Sequence, residues 1–279
     1  MKKILVPCDF SQPAINAFNF ALKVAVKSYG TIYLLNVVEP PVTSDSAVIT
    51  VLNTAAANDL RQKAESQFKA LIGDHRVNVV TEVQIGNVDD VILKFIDDES
   101  IDLVLMGSHG ASGFREFFIG SNAEKIVRRS SAPVLVLKEC PKEPIRNIIF
   151  PNSLETDTPP DLINNVKVLQ DFFDAKLHIV NTPSHLISDS LIHERLYAVT
   201  QKYDLKNYTI NVFYHPRQEE GILEFAKKMD SDLIAMGTHG RTGIAHLVNG
   251  SIAENVVNHS QRPVWTYRMR HEPNLVKTA

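Results

Sequence analysis

Two glycine motifs in this sequence have types and spacing suited to binding a phosphate group. The first motif consists of Gly107, Gly110, Gly120 and Ser121. The second motif repeats that spacing with Gly237, Gly240, Gly250 and Ser251. Glycine lets a backbone approach an anion closely and adopt positive φ angles. Each serine begins a predicted helix, where free N–H groups and the helix dipole favour an anion.

The spacing differs from that of the Walker A loop and from that of the Rossmann glycine fingerprint. No Gly-Lys-Ser/Thr follows the glycines, and no Gly-x-Gly-x-x-Gly follows the first predicted strand. The competing interpretation is that these glycines only form tight turns. Because the spacing occurs twice, each time between a predicted buried strand and a predicted helix, we favour an anion site in the first half.

Other residue types that could carry chemistry are few. His109 and His239 occupy the same place in the two motifs, where each could donate a hydrogen bond to phosphate or could simply meet solvent. The remaining histidines are scattered without a pair at metal-ligand spacing, so no metal site is predicted. There is no nucleophile elbow and no clustered Cys/His pair, so no catalytic residue is predicted.

The motifs belong to a longer internal repeat. Asp102–Leu137 aligns without a gap with Asp232–Tyr267, and fifteen positions are identical. Asn147–Pro151 resembles Lys3–Pro7 at a larger offset, so the second copy is shorter in its middle. We therefore predict two domains, residues 1–140 and 144–270.

Each half alternates short β-branched runs with helical patterns, which predicts a parallel sheet with helices on both faces. The strands predicted in the first half are Ile4–Pro7, Thr31–Val38, Val77–Gln84, Asp102–Met106 and Pro133–Leu137. Its helices are predicted after the N-cap Ser11, with Gly30 as the stop, and over Ala55–Ile72, Val88–Asp98 and Ser121–Ser130. The strands predicted in the second half are Ile148–Pro151, Lys176–Asn181, Thr209–Tyr214, Asp232–Met236 and Val264–Tyr267.

Composition excludes several classes of protein. The 29 basic and 32 acidic residues give a net charge of −3, which offers no support for a nucleic-acid partner. No apolar run approaches the roughly 20 residues of a membrane helix. Two cysteines, Cys8 and Cys140, cannot form a disulfide framework and fit a reducing cytoplasm, which is the expected location.

The sequence resembles the universal stress protein family in its tandem two-domain form. The resemblance covers nearly the whole chain and rests on Val6-Pro7-Cys8-Asp9-Phe10-Ser11, on both glycine motifs and on Ala132-Pro133-Val134-Leu135-Val136. It implies an α/β fold of two tandem Rossmann-like open-sheet domains, similar to the adenine nucleotide alpha hydrolases, each with a five-stranded parallel sheet. It also implies ATP as the ligand, with or without magnesium, and a role as a stress-response sensor or regulator.

The resemblance also implies which residues meet the nucleotide. Pro7, Cys8 and Asp9 are expected on the adenosine side, where Asp9 meets the ribose or a nucleotide-bound magnesium. Val38 is expected to offer its backbone to adenine, and Met106 and Gly107 to pack beside the ribose. The residues expected at the phosphates are His109, Gly110, Gly120, Ser121 and Asn122. The corresponding residues of the second half are Met236, Gly237, His239, Gly240, Gly250 and Ser251.

The second half departs from the pattern on the adenosine side. Ser153 takes the position of Asp9, Pro183 that of Val38, and Pro216 that of Gly86. Proline has no N–H to donate. The second half is therefore open to three interpretations: weaker ATP binding, a different anionic ligand, or a structural role.

Three functions remain as hypotheses: an ATP-binding sensor or regulator, a protein-interaction module with vestigial nucleotide sites, or a slow ATPase. Hydrolysis should be slow at most, because no cationic residue recurs in both loops to stabilise phosphoryl transfer. Cys8 is expected to be a small buried hydrophobe, with a redox switch as the alternative.

The last strand of each half is expected at a sheet edge, where apolar strands invite pairing. In the family this strand commonly makes the dimer contact. We therefore expect an intramolecular pseudo-dimer, Val134–Leu137 against Val264–Tyr267, and further dimerisation of whole chains.

Overall fold

A computed structural model of the protein describes residues 1–39, 48–74, 76–108, 120–141, 144–152, 159–183, 187–238 and 252–269, without the side chains of residues 48–57. The chain divides into two compact units, Met1–Pro141 and Lys142–Ala279. None of the described helices is long and apolar enough to cross a membrane.

The first unit alternates strands and helices along the chain. Its strands are β1 (Lys3–Pro7), β2 (Thr31–Val38), β3 (Asn78–Ile85), β4 (Leu103–Gly107) and β5 (Val134–Leu137). Its helices are α1 (Gln12–Ser28), α2 (Val48–Ile72), α3 (Val88–Asp98) and α4 (Ser121–Arg129). The strands form a parallel sheet in the order β3-β2-β1-β4-β5. The predicted five-stranded parallel sheet is confirmed, and its order reverses between β1 and β4.

The second unit repeats this plan. Its strands are β6 (Asn147–Pro151), β7 (Lys176–Asn181), β8 (Tyr208–Val212), β9 (Leu233–Thr238) and β10 (Val264–Arg268). Its helices are α5 (Pro160–Phe173), α6 (Asp189–Lys202), α7 (Gln218–Lys228) and α8 (Ile252–His259). These strands are also parallel, in the order β8-β7-β6-β9-β10.

The central strands β1 and β6 have three apolar, buried residues in their middle, because both faces of the sheet are covered. In β1, Ile4, Leu5 and Val6 are fully buried, as expected for a parallel strand between two helical layers. Right-handed crossovers place α1 and α2 on one face and α3 and α4 on the other. In agreement, α3 and α4 contact each other.

Two helix ends differ from the prediction. Helix α2 begins at Val48 rather than Ala55, because the helix propensities of Thr and Asn, weaker than that of Ala by a few tenths of a kcal/mol, do not stop a helix. Helix α1 ends at Ser28, and its C-cap is Tyr29, which adopts the left-handed conformation expected of a glycine, with φ 52°. The following Gly30 serves close packing instead, since a Cβ there would lie 2.9 Å from the carbonyl oxygen of Lys2.

Each unit fixes the start of its first strand with an equivalent aspartate. The Oδ2 of Asp102 accepts a hydrogen bond from the backbone N–H of Lys3, at 3.0 Å. The Oδ2 of Asp232 accepts the matching bond from the N–H of Asn147, at 2.9 Å. These two aspartates open the segments that align in the sequence, so the repeat extends to individual hydrogen bonds.

The sheet of the second unit contains a buried histidine. The side chain of His178 on β7 is 3% exposed. Its Nε2 donates to Oδ1 of Asn147 at 3.1 Å, and its Nδ1 accepts from the hydroxyl of Thr209 at 2.8 Å. Burial lowers the pKa of this imidazole, and the charge of Lys176 lowers it further. The neutral ring is therefore the form that the fold stabilises.

We expect His178 to make the second unit sensitive to mild acid. Below the ordinary histidine pKa of 6.5 the unfolded chain takes up a proton that the folded chain resists, so stability falls as pH decreases. Urea unfolding at a series of pH values from 7 to 5 should show this loss, and His178→Gln should reduce it. The control is His193→Gln, which removes an exposed histidine of the same unit; an equal reduction in that variant would show that the effect is not specific to His178. A pH dependence that survives His178→Gln in full would contradict this assignment.

Candidate functional site

The strand order reverses between β1 and β4, which opens a crevice at their carboxyl ends. Pro7 ends β1 and Gly107 ends β4. The chain leaves the sheet just after Cys8, whose N–H donates to the carbonyl of Leu35 at 2.8 Å. The side-chain amide of Asn36 then donates to the carbonyl of Cys8 at 2.8 Å. Both bonds fix the backbone that leads to Asp9.

Asp9 lies at the mouth of this crevice and is exposed. Its Oδ1 accepts a hydrogen bond from the N–H of Ser11 at 3.0 Å. The hydroxyl of Ser11 in turn accepts from the N–H of Ala14 at 3.4 Å, which caps α1 as predicted. In the part of the chain that the structure describes, the second carboxylate oxygen of Asp9 has no protein partner and is available to a ligand.

Cys8 is a core residue rather than a reactive thiol. Its side chain is 3% exposed, and burial raises its pKa to about 11. Because the thiolate is the reactive form, a thiol with this pKa is inert at neutral pH. The structure therefore favours the interpretation as a small buried hydrophobe over a redox switch.

The backbone of Val38 is already used by the sheet, because its carbonyl accepts from the N–H of Gly86 at 3.1 Å. Backbone groups alternate between the two sides of a strand. The carbonyl of Leu35 faces β1, so Val37, two residues further on, faces the same side beyond the point where β1 ends. The backbone that faces the crevice at this point is therefore that of Val37, and a contact of Val38 with adenine stays a prediction.

Met106 and Gly107 are the last two residues of β4, on one side of the strand-order reversal. Met106 is 7% exposed. Gly107 lies directly against the first turn of α1: a Cβ on it would be 2.1 Å from the carbonyl oxygen of Pro13 and 2.7 Å from the nitrogen of Ala14. This glycine is required by helix packing, whatever it does for a ligand.

Gly120 has a different environment, although it belongs to the same motif. It is the N-cap of α4 with φ −55° and ψ 144°, a conformation open to other residues. Among the described residues, a Cβ on it would meet nothing within 4 Å, and it makes no side-chain cap bond to α4. Ser121 and Asn122 follow it and are exposed. His109 and Gly110 lie outside the described residues.

Helix α4 is attached to α3 through a buried carboxylate that the sequence reasoning missed. The side chain of Asp89 is 8% exposed and accepts from Nζ of Lys125 at 3.0 Å and from Nη1 of Arg129 at 2.9 Å. The hydrogen bond from Lys125 lowers the pKa of Asp89 against the opposing effect of burial. An acidic residue on the apolar face of α3 was the available signal in the sequence.

A buried hydroxyl directly follows the first glycine of each glycine motif. Ser108 and Thr238 occupy equivalent positions, and they are 2% and 4% exposed. Among the described residues, neither hydroxyl has a hydrogen-bond partner. Leaving a buried hydroxyl without a partner is costly. Sequence reasoning did not single out this pair, although the repeat keeps a hydroxyl at both positions.

The second unit builds the same turn after its first strand. The N–H of Asn152 donates to the carbonyl of Val180 at 2.9 Å, and the side-chain amide of Asn181 donates to the carbonyl of Asn152 at 2.7 Å. Beyond this turn it differs, because Thr182 and Pro183 are buried whereas Val37 and Val38 are half-buried. In the second unit, five of the residues named from the sequence lie outside the described ranges: Ser153, His239, Gly240, Gly250 and Ser251.

The β9 side of the second unit is also altered. Met236 is 5% exposed, much like Met106. A Cβ on Gly237, however, would meet side chains rather than a helix backbone, with Cδ2 of Leu162 at 2.8 Å and Sδ of Met269 at 2.9 Å. Helix α5 begins at Pro160 without a side-chain cap.

One glycine has changed place between the units, at the junction of the third strand and the following helix. In the first unit a Cβ on Gly86 would lie 2.8 Å from Cγ2 of Val91. In the second unit the equivalent positions hold Pro216 and Gly221. A Cβ on Gly221 would lie 2.7 Å from Cβ of His215 and 3.3 Å from Cγ2 of Thr182. The glycine therefore follows the third strand in the first unit, as Gly86, and lies in the following helix in the second unit, as Gly221.

An open parallel sheet whose order reverses at its centre, with a polar crevice at that point, defines a doubly wound α/β protein of tandem units. The family model described as the universal stress protein family matches residues 1–138 and 210–268. The chain belongs to the universal stress protein family, and the resemblance noted in its motifs is confirmed.

Individual relatives match one half of the chain. A universal stress protein of Methanocaldococcus jannaschii is 29% identical over 158 residues, which cover 49% of this chain and 94% of that protein. A putative universal stress protein of Staphylococcus saprophyticus is 30% identical over 139 residues, covering 49% and 83%. The crystal structure of a universal stress protein from Archaeoglobus fulgidus covers 95% of this chain and 98% of its own, with a TM-score of 0.73 and 18% identity. At that identity the likeness is one of fold.

Proposed function

We propose that this chain binds ATP in the crevice of its first unit and acts in the cytoplasm as a sensor or regulator of stress responses. One observation carries the proposal. The exposed carboxylate of Asp9 and the uncapped N-terminus of α4 follow neighbouring strands, β1 and β4, at the same edge of the sheet. A ligand with a hydroxylated sugar and an anionic group suits that combination.

The donor set fits ATP part by part. The free oxygen of Asp9 would accept from a ribose hydroxyl, and the backbone of Val37 would meet adenine. The first-turn N–H groups of α4 would receive the phosphates, since Gly120 leaves them without a side-chain cap. Magnesium on the nucleotide would offset phosphate charge, and Asp9 is an oxygen ligand of the kind that Mg²⁺ takes. Within the described ranges, no group of three or more His, Cys, Asp or Glu side chains could hold a metal ion by itself.

The first unit is proposed as the main site because the second unit changes the adenosine side. Thr182, the counterpart of Val37, is buried at the end of β7 together with Pro183, so its backbone is less accessible to a base than that of the half-buried Val37. Weaker binding by the second unit follows from these differences. Pairing of the two halves through Val134–Leu137 and Val264–Tyr267, and a homodimer of chains, remain part of the proposal. The apolar sequence of both strands supports them.

The experiment is to identify nucleotide released from the purified chain by mass spectrometry and to titrate the chain with ATP by calorimetry. We expect bound ATP and an affinity that Asp9→Ala lowers at least about tenfold, the loss of a charge-assisted hydrogen bond. Asp98→Ala is the matched control, because Asp98 is exposed at the C-terminus of α3, away from the crevice. Its affinity should equal that of the unmodified chain.

The contrary outcomes point to the other two hypotheses. A chain that carries no nucleotide and gives no heat with ATP would be an interaction module rather than a nucleotide sensor. Phosphate release above background, lost in a Ser121→Ala variant, would make it a slow ATPase. ATP binding unchanged in Asp9→Ala would place the ribose elsewhere.

A further inference from the structure

Phe10 has a backbone conformation that is unfavourable for its residue type. It adopts φ 64°, the left-handed region, which is a genuine outlier for a bulky side chain. Among the described residues, most others with positive φ follow the C-terminus of a helix, where this conformation is ordinary. They are Tyr29, Ser100, Asp174, Asp204 and Asp230. Phe10 instead lies between a strand and the start of a helix.

An aromatic contact holds Phe10 in this conformation. Its ring lies against that of Phe68 on α2, with centroids 4.9 Å apart and an interplanar angle of 56°. Phe68 is 1% exposed, so it provides a fixed surface. The left-handed conformation lowers the population of a non-glycine residue roughly five- to thirty-fold, and the ring contact offsets that penalty.

The strained residue separates two groups that the crevice uses. Asp9 precedes it and Ser11 follows it, and the two are joined across it by the bond from the Ser11 N–H to Oδ1 of Asp9, at 3.0 Å. This bond forms only when the intervening backbone turns sharply. The φ angle of Phe10 therefore determines where the carboxylate of Asp9 points.

We propose that Phe10 is a positioning residue for Asp9. Phe68 holds the backbone of Phe10 in the left-handed conformation, and that conformation aims the free carboxylate oxygen into the crevice. The expected effect of Phe10 on ATP affinity rests on the proposed function. The effect of Phe10 on the orientation of the Asp9 carboxylate does not depend on that function. An unfavourable backbone conformation persists only where surrounding contacts hold it in place, and such residues are common at ligand sites.

Glycine and alanine separate positioning from simple packing. Both Phe10→Gly and Phe10→Ala remove the ring, but only glycine adopts the left-handed region freely. If Phe10 acts through its backbone, Phe10→Ala lowers ATP affinity about tenfold and Phe10→Gly clearly less. If Phe10 only fills space, the glycine variant is equal to the alanine variant or worse.

A double-mutant cycle tests whether the effect passes through Asp9. In an Asp9→Ala background, Phe10→Ala should cause no further loss of ATP affinity, because its target is gone. Additive losses overturn the proposal. Circular dichroism confirms that each variant is folded.

Hydrogen exchange of the Ser11 amide, followed by NMR without nucleotide, provides a readout that does not depend on ATP. This amide should exchange about tenfold faster in Phe10→Ala than in the unmodified chain, and Phe10→Gly should fall between them. Equal rates in all three proteins overturn the positioning role even if ATP binds. If the unmodified chain does not bind ATP, the proposed function fails while a graded exchange rate still supports the positioning of Asp9.

Discussion

Replacing Gly107 by alanine should unfold the first unit or cost it about 3 kcal/mol or more of stability. The new Cβ would lie 2.1 Å from the carbonyl oxygen of Pro13 and 2.2 Å from its carbonyl carbon. These are backbone atoms of the first turn of α1, where the proline ring fixes φ. Relief requires α1 to move away from β4, against which it packs.

The second unit offers a matched control in Gly237→Ala. Its Cβ would meet Cδ2 of Leu162 at 2.8 Å and Sδ of Met269 at 2.9 Å. These are the ends of flexible side chains that can rotate away, so we expect a cost below about 1.5 kcal/mol. Urea unfolding of the full chain gives the cost, and hydrogen exchange of peptides from β1 and β4 identifies the unit affected. Equal losses in the two variants would contradict the prediction.

Replacing Gly120 by valine should abolish most ATP binding while leaving the fold intact. The conformation of Gly120 suits valine, and its Cβ would meet no atom within 4 Å in the described part of the chain, so stability should change by no more than about 1 kcal/mol. The branched side chain would occupy the approach to the first-turn N–H groups of α4, where the phosphates are proposed to bind. We expect calorimetry to show an affinity at least about a hundredfold lower, equivalent to roughly 2.7 kcal/mol.

Gly120→Ala adds a graded control to this experiment. Its single methyl group should reduce affinity less than the valine side chain does, with the same unfolding midpoint as the unmodified chain. A folded Gly120→Val protein that binds ATP normally would place the phosphates away from α4. A variant that unfolds would instead show that Gly120 serves the fold, contrary to its open surroundings.

The sequence was sufficient to predict the elements whose signals are local. Strand β2 (Thr31–Val38), helix α3 (Val88–Asp98) and strand β7 (Lys176–Asn181) have the predicted bounds. Apolar runs and amphipathic spacing depend only on near neighbours along the chain, so they can be interpreted without the fold. The parallel five-stranded sheet followed from their alternation.

The roles of individual site residues could not be predicted in this way. Gly107 and Gly120 belong to one motif, yet only the first faces a helix backbone, and that depends on where α1 packs. The pairing of β2 with β3 uses the carbonyl of Val38 and leaves the backbone of Val37 facing the crevice, which the apolar run of β2 does not reveal. The buried Asp89 escaped notice because its partners, Lys125 and Arg129, lie on a different helix.

The change of place of a glycine between the units has an evolutionary consequence. The two units differ at both positions of this junction. The first unit has Gly86 and Val91, and the second unit has Pro216 and Gly221 at the equivalent positions. A larger residue on the strand side while valine still occupies the helix brings two side chains into collision, so the order of the changes matters. In the second unit a side chain at position 221 would also meet Cβ of His215 at 2.7 Å and Cγ2 of Thr182 at 3.3 Å. A graft that converts the second crevice into the first must therefore change His215 and Thr182 together with Pro216 and Gly221.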